Sequence, residues 1–422
     1  MSLSINDPKL RSWVEIPEHS DFPIHNLPFG IYSTGDTPRR VCTAIGEYVA
    51  DMNILSEHGF FEDLELEDGI FEQATLNAFI GQGKTKTRAV RQRLADIMDD
   101  DLEEWDASEL RSFFLIPQSE VTLHLPLDIG DYTDFYSSLE HATNVGSLFR
   151  GKDNALMPNW RHLPVGYHGR SSSIVVSGTE IKHPQGQYLP EGAESPTFGP
   201  SQRLDFELET AFVVGRNSTL GKPVSTDEAN DYIFGMVLFN DWSARDIQRW
   251  EYQPLGPFLG KSFASTISPW VVTLDALSSF RCEGPGQEPA VLPYLKLPEA
   301  QSYDIHLEAI LETADGKRMS LCQTNHKHLY WRMVQQLAHQ TSNGCNVRIG
   351  DLYASGTISG PDPGSYGSLL ELTQNGTQPI TLPDGSQRTF LENGDTIILK
   401  GYCEGNGIRI GFGECRSTIV AT

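Results

Sequence analysis

A β-rich mixed α/β fold in two parts is predicted by three features of the sequence. Residues 204–214 alternate acidic and apolar side chains and then close on Ala211-Phe212-Val213-Val214, the pattern of a strand with one polar face. Residues 233–239 form a run of β-branched and aromatic side chains followed by Asn240-Asp241, a helix-start signal, so a buried strand turning into a helix is expected there. The last third alternates short apolar runs (396–399, 408–412) with turn signals such as Pro383-Asp384-Gly385 and Asn393-Gly394-Asp395. A change of texture near Pro117 divides a small N-terminal unit, residues 1–120, from a larger one, residues 121–422.

Composition narrows the function. The chain of 422 residues is 39 % hydrophobic and 21 % charged, ordinary for a globular protein with room for two or three domains. It contains no apolar run of the roughly 18 residues that a membrane helix needs, so no membrane partner is expected. The N-terminus has no basic segment followed by an apolar one and predicts no secretory signal. Six scattered cysteines without a C-x-x-C pair fit reduced thiols and a cytoplasmic location. Cys345, within Asn343-Gly344-Cys345-Asn346, reads as an inert thiol, since no signature of a nucleophile surrounds it. A net charge of −24 argues against a nucleic-acid partner, because polyphosphate binding needs clustered cations.

Within the first unit, short apolar stretches (30–33, 41–45) are broken by Pro and Gly, and residues 88–98 are helix-like. The acidic run Asp99-Asp100-Asp101 with Glu103-Glu104 reads as a solvated helix end. No catalysis is assigned here. Beyond Pro117, residues 131–136 pack two acids and two phenols together, with Asp134 and Tyr136 on one side if extended. His141 follows, then Arg150 and a Gly- and Pro-rich loop carrying Asn159-Trp160 and Tyr167 to Arg170, where ligand contacts tend to lie.

In the 204–214 strand, period-2 geometry sets Asp205, Glu207 and Glu209 on one face. Such a face is either exposed or shares a cation. Carboxylates converging without Cys or His point to a hard ion, Ca²⁺ or Mg²⁺. Asp241 would sit at the corner between the next strand and its helix, with Arg245, Gln248 and Tyr252 at i, i+3 and i+7 on one helical face before Pro254. For this stretch alone, a plain N-cap with a solvated helix surface is the competing reading. Residues 256–262 imitate a phosphate-binding loop, but only three residues separate the glycines and one is proline, so nucleotide binding is rejected. Lys261 reads instead as a fixed cation near the carboxylates. Glu371, flanked by leucines on an expected strand, is either edge-exposed or, if buried, in need of a partner such as histidine.

The segments Asp-Tyr-Thr-Asp-Phe-Tyr-Ser-Ser (131–138), His-Ala-Thr-Asn-Val-Gly (141–146), 154–170, 239–263, 343–361 and 401–415 together resemble the fumarylacetoacetate hydrolase family, over nearly the whole length. The resemblance implies an N-terminal SH3-like β-barrel, a C-terminal mixed β-roll and a homodimer. It also implies hydrolytic cleavage of a carbon–carbon bond in a small dicarboxylic diketo acid. By position, it makes Asp134, Glu207, Glu209 and Asp241 ligands of a Ca²⁺- or Mg²⁺-type ion, His141 the general base and Glu371 its orienting carboxylate. Arg245, Gln248 and Lys261 would stabilise an oxyanion; Tyr136, Arg150, Tyr167, Gln248, Tyr252 and Thr357 match substrate-contacting positions. A second cation site is implied near Asp241, Lys261 (through its backbone carbonyl) and Ser265. Here the chain departs from the family pattern, with Ala264-Ser265 in place of Gly-Thr, although Ser265 keeps the hydroxyl. A lyase on the same fold and a non-catalytic cation-binding scaffold are the rival readings; the presence of both His141 and Glu371 favours hydrolysis.

Overall fold

The computed structural model describes residues 3–35, 37–101, 113–297 and 301–422, so Glu103 and Glu104 of the acidic run lie outside the described residues. The first part of the chain builds an antiparallel sheet in the spatial order Leu115–Pro117, Tyr48–Asp51, Arg40–Ile45, Phe29–Ser33, Thr122–His124. The helix Lys84–Met98 packs against it with Val90, Leu94, Ala95 and Met98 buried, and starts one turn before the segment its periodicity marks. Asp99 follows the helix, and Asp100 and Asp101 reach solvent, as a solvated helix end should.

The rest of the chain is organised on two curled sheets. One has the order Gly166–His168, Tyr132–Phe135, Leu352–Ala354, Leu208–Val214, Ile233–Asp241, Ser265–Ile267, Ile174–Val176. The other runs Arg318–Asn325, His306–Glu312, Thr396–Gly405, Ile408–Val420, Ile181–Lys182. The central strands of the first sheet, Leu208–Val214 and Ile233–Asp241, are buried on both faces. Phe212, Val214, Met236 and Leu238 join the core shared with the second sheet, whereas Ala211, Val213, Val237 and Phe239 join the core of the N-terminal part. A strand covered on both sides needs apolar residues in succession, which is why 211–214 and 233–239 read as continuous runs. Among the described residues, no helix is long and apolar enough to cross a membrane.

Three local expectations are corrected. Asn240-Asp241 does not start the helix: the strand Ile233–Asp241 runs through them, a short bridge Ser243–Ala244 follows, and the helix is Arg245–Glu251 with Ala244 before it. Asp241 is needed in the ladder, where it pairs with Ser265, so the chain turns three residues later. Residues 204–214 are not one strand. Leu204–Asp205 pairs with Ser243–Ala244, and a new strand, Leu208–Val214, begins after Phe206 and Glu207. Neighbouring carboxylates on one buried face would repel, and the break sends Asp205 to separate partners. Finally, Glu371 lies in a single helical turn, Leu369–Leu372, not on a strand. Ser368 caps that turn and ends the reach of any ladder.

One glycine is required where the first sheet opens towards the acidic residues. Gly356 has φ +76, and a Cβ there would come within 2.2 Å of the Phe135 carbonyl oxygen. Its N–H donates to Glu209 Oε2 at 2.9 Å. Gly356→Ala should therefore destabilise the fold by about 2–4 kcal/mol, through positive-φ strain and displaced backbone. Chemical denaturation would check this; a loss within about 0.5 kcal/mol would contradict it.

Candidate active site

Four carboxylates meet where strands of the first sheet end. Tyr132–Phe135 carries Asp134, the start of Leu208–Val214 carries Glu209, and the end of Ile233–Asp241 carries Asp241, with Glu207 in the break just before Glu209. All four are buried and can bring one oxygen each within 4.8 Å of one another. The sheet sets this directly, since Asp134 pairs with Tyr167 on one neighbour and with Ala354 on the other, and Asp241 pairs with Ser265.

Two cations hold the cluster. Lys261 Nζ donates to Glu207 Oε2 at 2.5 Å and to Asp241 Oδ2 at 2.7 Å. Arg245 Nη1 donates to Glu207 Oε1 at 2.6 Å and Nε to Asp205 Oδ2 at 2.9 Å. Lys261 reaches this position because Gly260 lies against the helix backbone, where a Cβ would meet Gln248 at 2.6 Å. Tyr167 and Ser265 donate to Asp241 at 2.9 and 3.0 Å.

The oxygens left over could hold a cation. Asp134 Oδ1 and Glu209 Oε1 are buried without a hydrogen-bond partner among the described residues. A buried acceptor without a donor is costly, and two among converging carboxylates fit a hard oxygen-seeking ion. Titration agrees. Burial, then the charge of Asp241, pushes Asp134 far above the usual carboxylate range, and burial, then Asp134, does the same to Glu209. For Glu207, burial acts upwards but Lys261 and Arg245 outweigh it and hold the carboxyl down. Lys261 itself is held protonated, since Asp241 and Glu207 overcome its desolvation.

A second group stands beside the first. Ser138 caps the helix Leu139–Arg150 by accepting from the His141 N–H, which places His141 in the first turn, buried. His141 Nδ1 lies 2.6 Å from Glu371 Oε2. Ser359 and Ser368 also donate to Oε2, and Asn144 donates to Oε1, each at 2.9 Å. Burial acts to raise the Glu371 pKa, but His141 and these donors lower it, so the carboxylate stays ionised and orients the ring. Tyr136 links the two groups: its ring meets His141 edge-on at 5.3 Å, and its phenol is pushed up first by burial, then by Glu371 and Glu207.

The remaining expected residues are placed less uniformly. Thr357 is buried, with a hydroxyl that has no hydrogen-bond partner among the described residues, which suits a ligand contact. Gln248 is half-buried one turn beyond Arg245. Tyr252 closes the same helix but is 43 % exposed, so it shares a helical face with Arg245 without sharing its burial. The Arg150 guanidinium is occupied by the carbonyls of Asn154 and Ala155. Sequence reasoning gave no role to Asn144, Ser359 or Ser368. Asn144 sits three residues after His141 on one helix, a spacing that could have flagged it; the serines are joined to Glu371 only by folding.

The chain is similar to known proteins over nearly its whole length. The profile described as "Fumarylacetoacetate (FAA) hydrolase C-terminal" matches residues 132–420, and "Fumarylacetoacetase N-terminal" matches residues 25–126. The chain is 52 % identical to "Fumarylacetoacetase" of Homo sapiens over 417 residues, covering 97 % of this chain and 98 % of that protein. It is 51 % identical to "Fumarylacetoacetase" of Caenorhabditis elegans over 416 residues, covering 97 % and 99 %. Among solved structures, "Fumarylacetoacetate hydrolase" from psychrophilic Exiguobacterium antarcticum superposes with a TM-score of 0.52 at 17 % identity, covering 94 % of this chain and all of that one, a likeness of fold.

Protons and cations should compete for the acidic cluster. Because Asp134 and Glu209 titrate high, the metal-free folded chain keeps protons that the unfolded chain releases, so their contribution to stability falls as pH rises towards those folded values. Adding Ca²⁺ or Mg²⁺ to metal-stripped protein should release protons and stabilise the fold, by about 3 kcal/mol at a hundred times Kd. That gain should be larger near pH 8 than near pH 5. Thermal scans with chelator and with each cation would read it, and a gain independent of pH would count against the cluster as the binding site.

Proposed function

This chain belongs to the fumarylacetoacetate hydrolase family, and we propose that it hydrolyses fumarylacetoacetate to fumarate and acetoacetate, a step of tyrosine and phenylalanine breakdown. The observation that carries this reading is the buried His141–Glu371 pair beside the acidic cluster. A cation-binding scaffold would need only the carboxylates, and a lyase would not need a water-activating base.

Hydrolysis requires water to add to one carbonyl of the diketone and the carbon fragment to leave as an enolate. His141 Nε2 takes the proton from water while Nδ1–H donates to Glu371, which stabilises the imidazolium without being protonated. The stored proton is then available to the departing enolate carbon, so one water is consumed and two carboxylic acids result. Arg245, Gln248 and Lys261 face the charge that develops at the attacked carbonyl, where one such donor is worth about 3 kcal/mol. Tyr136, Tyr167, Tyr252 and Thr357 bound the substrate and Arg150 serves its carboxylates, which requires Arg150 to exchange its loop carbonyls for the ligand. Asp134, Glu207, Glu209 and Asp241 would hold Ca²⁺ or Mg²⁺, which would supply Lewis-acid stabilisation of the diketone oxygens. A second Mg²⁺-type ion would be held by Asp241, the Lys261 carbonyl and Ser265, whose hydroxyl donates to Asp241. The proposed domains are residues 1–120 and 121–422, with the strand Thr122–His124 reaching back across that boundary into the N-terminal sheet; the proposed assembly is a homodimer, and six free cysteines support a reducing cytoplasm.

Loss of the diketone absorbance of fumarylacetoacetate, with products identified, should be seen on adding the protein and should be abolished by chelator. Turnover that ignores chelation would overturn the metal's part; absence of turnover with cation still bound would overturn the hydrolase reading. His141→Ala should lower kcat by about 100-fold or more and leave cation and substrate binding nearly intact. Unchanged turnover would remove His141 from its role.

A further inference from the structure

Asp205 belongs to no cation site and to no expected catalytic group, yet it is fully buried between the two halves of the machinery. Its Oδ1 accepts from the N–H of Phe206 at 2.9 Å and of Leu369 at 2.8 Å. Its Oδ2 accepts from the N–H of Leu370 at 2.9 Å and from Arg245 Nε at 2.9 Å. Leu369 and Leu370 open the single turn that carries Glu371, and Ser368 holds the third N–H of that turn. Such first-turn donors have no partner within their own helix. Arg245 is gripped twice by the same segment, since its own N–H donates to the Arg203 carbonyl at 2.9 Å.

We propose that Asp205 is a positioning residue that fastens the Glu371 turn to Arg245, so that the base pair and the oxyanion-binding guanidinium keep one fixed spacing. The proposal rests on the roles given above to His141, Glu371 and Arg245. The chemistry asks for a carboxylate. Four donors converge on two oxygens, and an asparagine would turn its own NH₂ against two of them. Whichever way it turned, one pair would lose its acceptor, either Leu370 and Arg245 or Phe206 and Leu369, so the link between the Glu371 turn and Arg245 would be halved.

The test is a cycle on the full-length, cation-loaded protein with Asp205→Asn, Glu371→Gln and the double variant, measuring kcat and KM for fumarylacetoacetate and bound cation. Asp205→Asn should lower kcat by about 10- to 100-fold with KM changed less than about threefold and cation binding kept. In the Glu371→Gln background the same substitution should cost several-fold less, because the group it positions is already impaired. Equal fold-losses in both backgrounds, or a rise in KM with kcat unchanged, would overturn the role of Asp205 while leaving that of Glu371. Unchanged kcat in Glu371→Gln alone would overturn both. Should Asp205→Asn fail to fold, amide hydrogen exchange of the intact protein still decides: slow exchange at Leu369 and Leu370 is expected, and exchange at loop rates would overturn the tether.

Discussion

The pairing of Glu207 with both Lys261 and Arg245 is the constraint on which the site depends. Buried carboxylates repel one another and lose their hydration, so a cluster of them survives only with cations fixed among them. Lys261 bridges Glu207 to Asp241, and Arg245 bridges Glu207 to Asp205. Two cations against Asp134, Asp205, Glu207, Glu209 and Asp241 still leave negative charge in excess. Burial first, and then that excess, raises the affinities of Asp134 and Glu209 for protons, and the same excess would favour a divalent ion.

The fold supplies the rigidity this arrangement needs. A strand buried on one face could shift to relieve repulsion among its carboxylates. Here the strands Leu208–Val214 and Ile233–Asp241 are clamped between the second sheet on one face and the N-terminal part on the other. The N-terminal part thus bears on the site without contributing one of the expected catalytic or ligand residues. Gly356 and Gly260 make the clamp tighter, because each lets backbone approach where a side chain would stand.

Division of labour within the site follows from environment. Glu371 and Glu209 are both fully enclosed glutamates, but Glu371 receives donors from four side chains and remains ionised, whereas Glu209 receives one backbone N–H and faces other acids. The first is suited to orienting an imidazole. The second is suited to a cation. The same residue type performs two tasks because its neighbours differ, and burial amplifies that difference.

Much of this was legible in the chain itself. Covalent order and local pattern determined the β-rich class, the continuous buried runs, the grouping of Glu207 with Glu209, and the carboxylate chemistry that selects a hard ion over zinc. They also marked Lys261 as a fixed cation and not part of a phosphate loop. Periodicity failed where long-range partners outbid local preference. Asn240-Asp241 carries a helix-start signal, yet the ladder with Ser265 keeps it extended. Asp205 continues the alternation of its neighbours, yet Arg245 and the amides of Leu369 and Leu370, about 40 and 164 residues away, draw it out of the row. The meeting of His141 with Glu371, 230 residues apart, has no local signature, since the distance between two side chains is decided by packing and not by spacing along the chain.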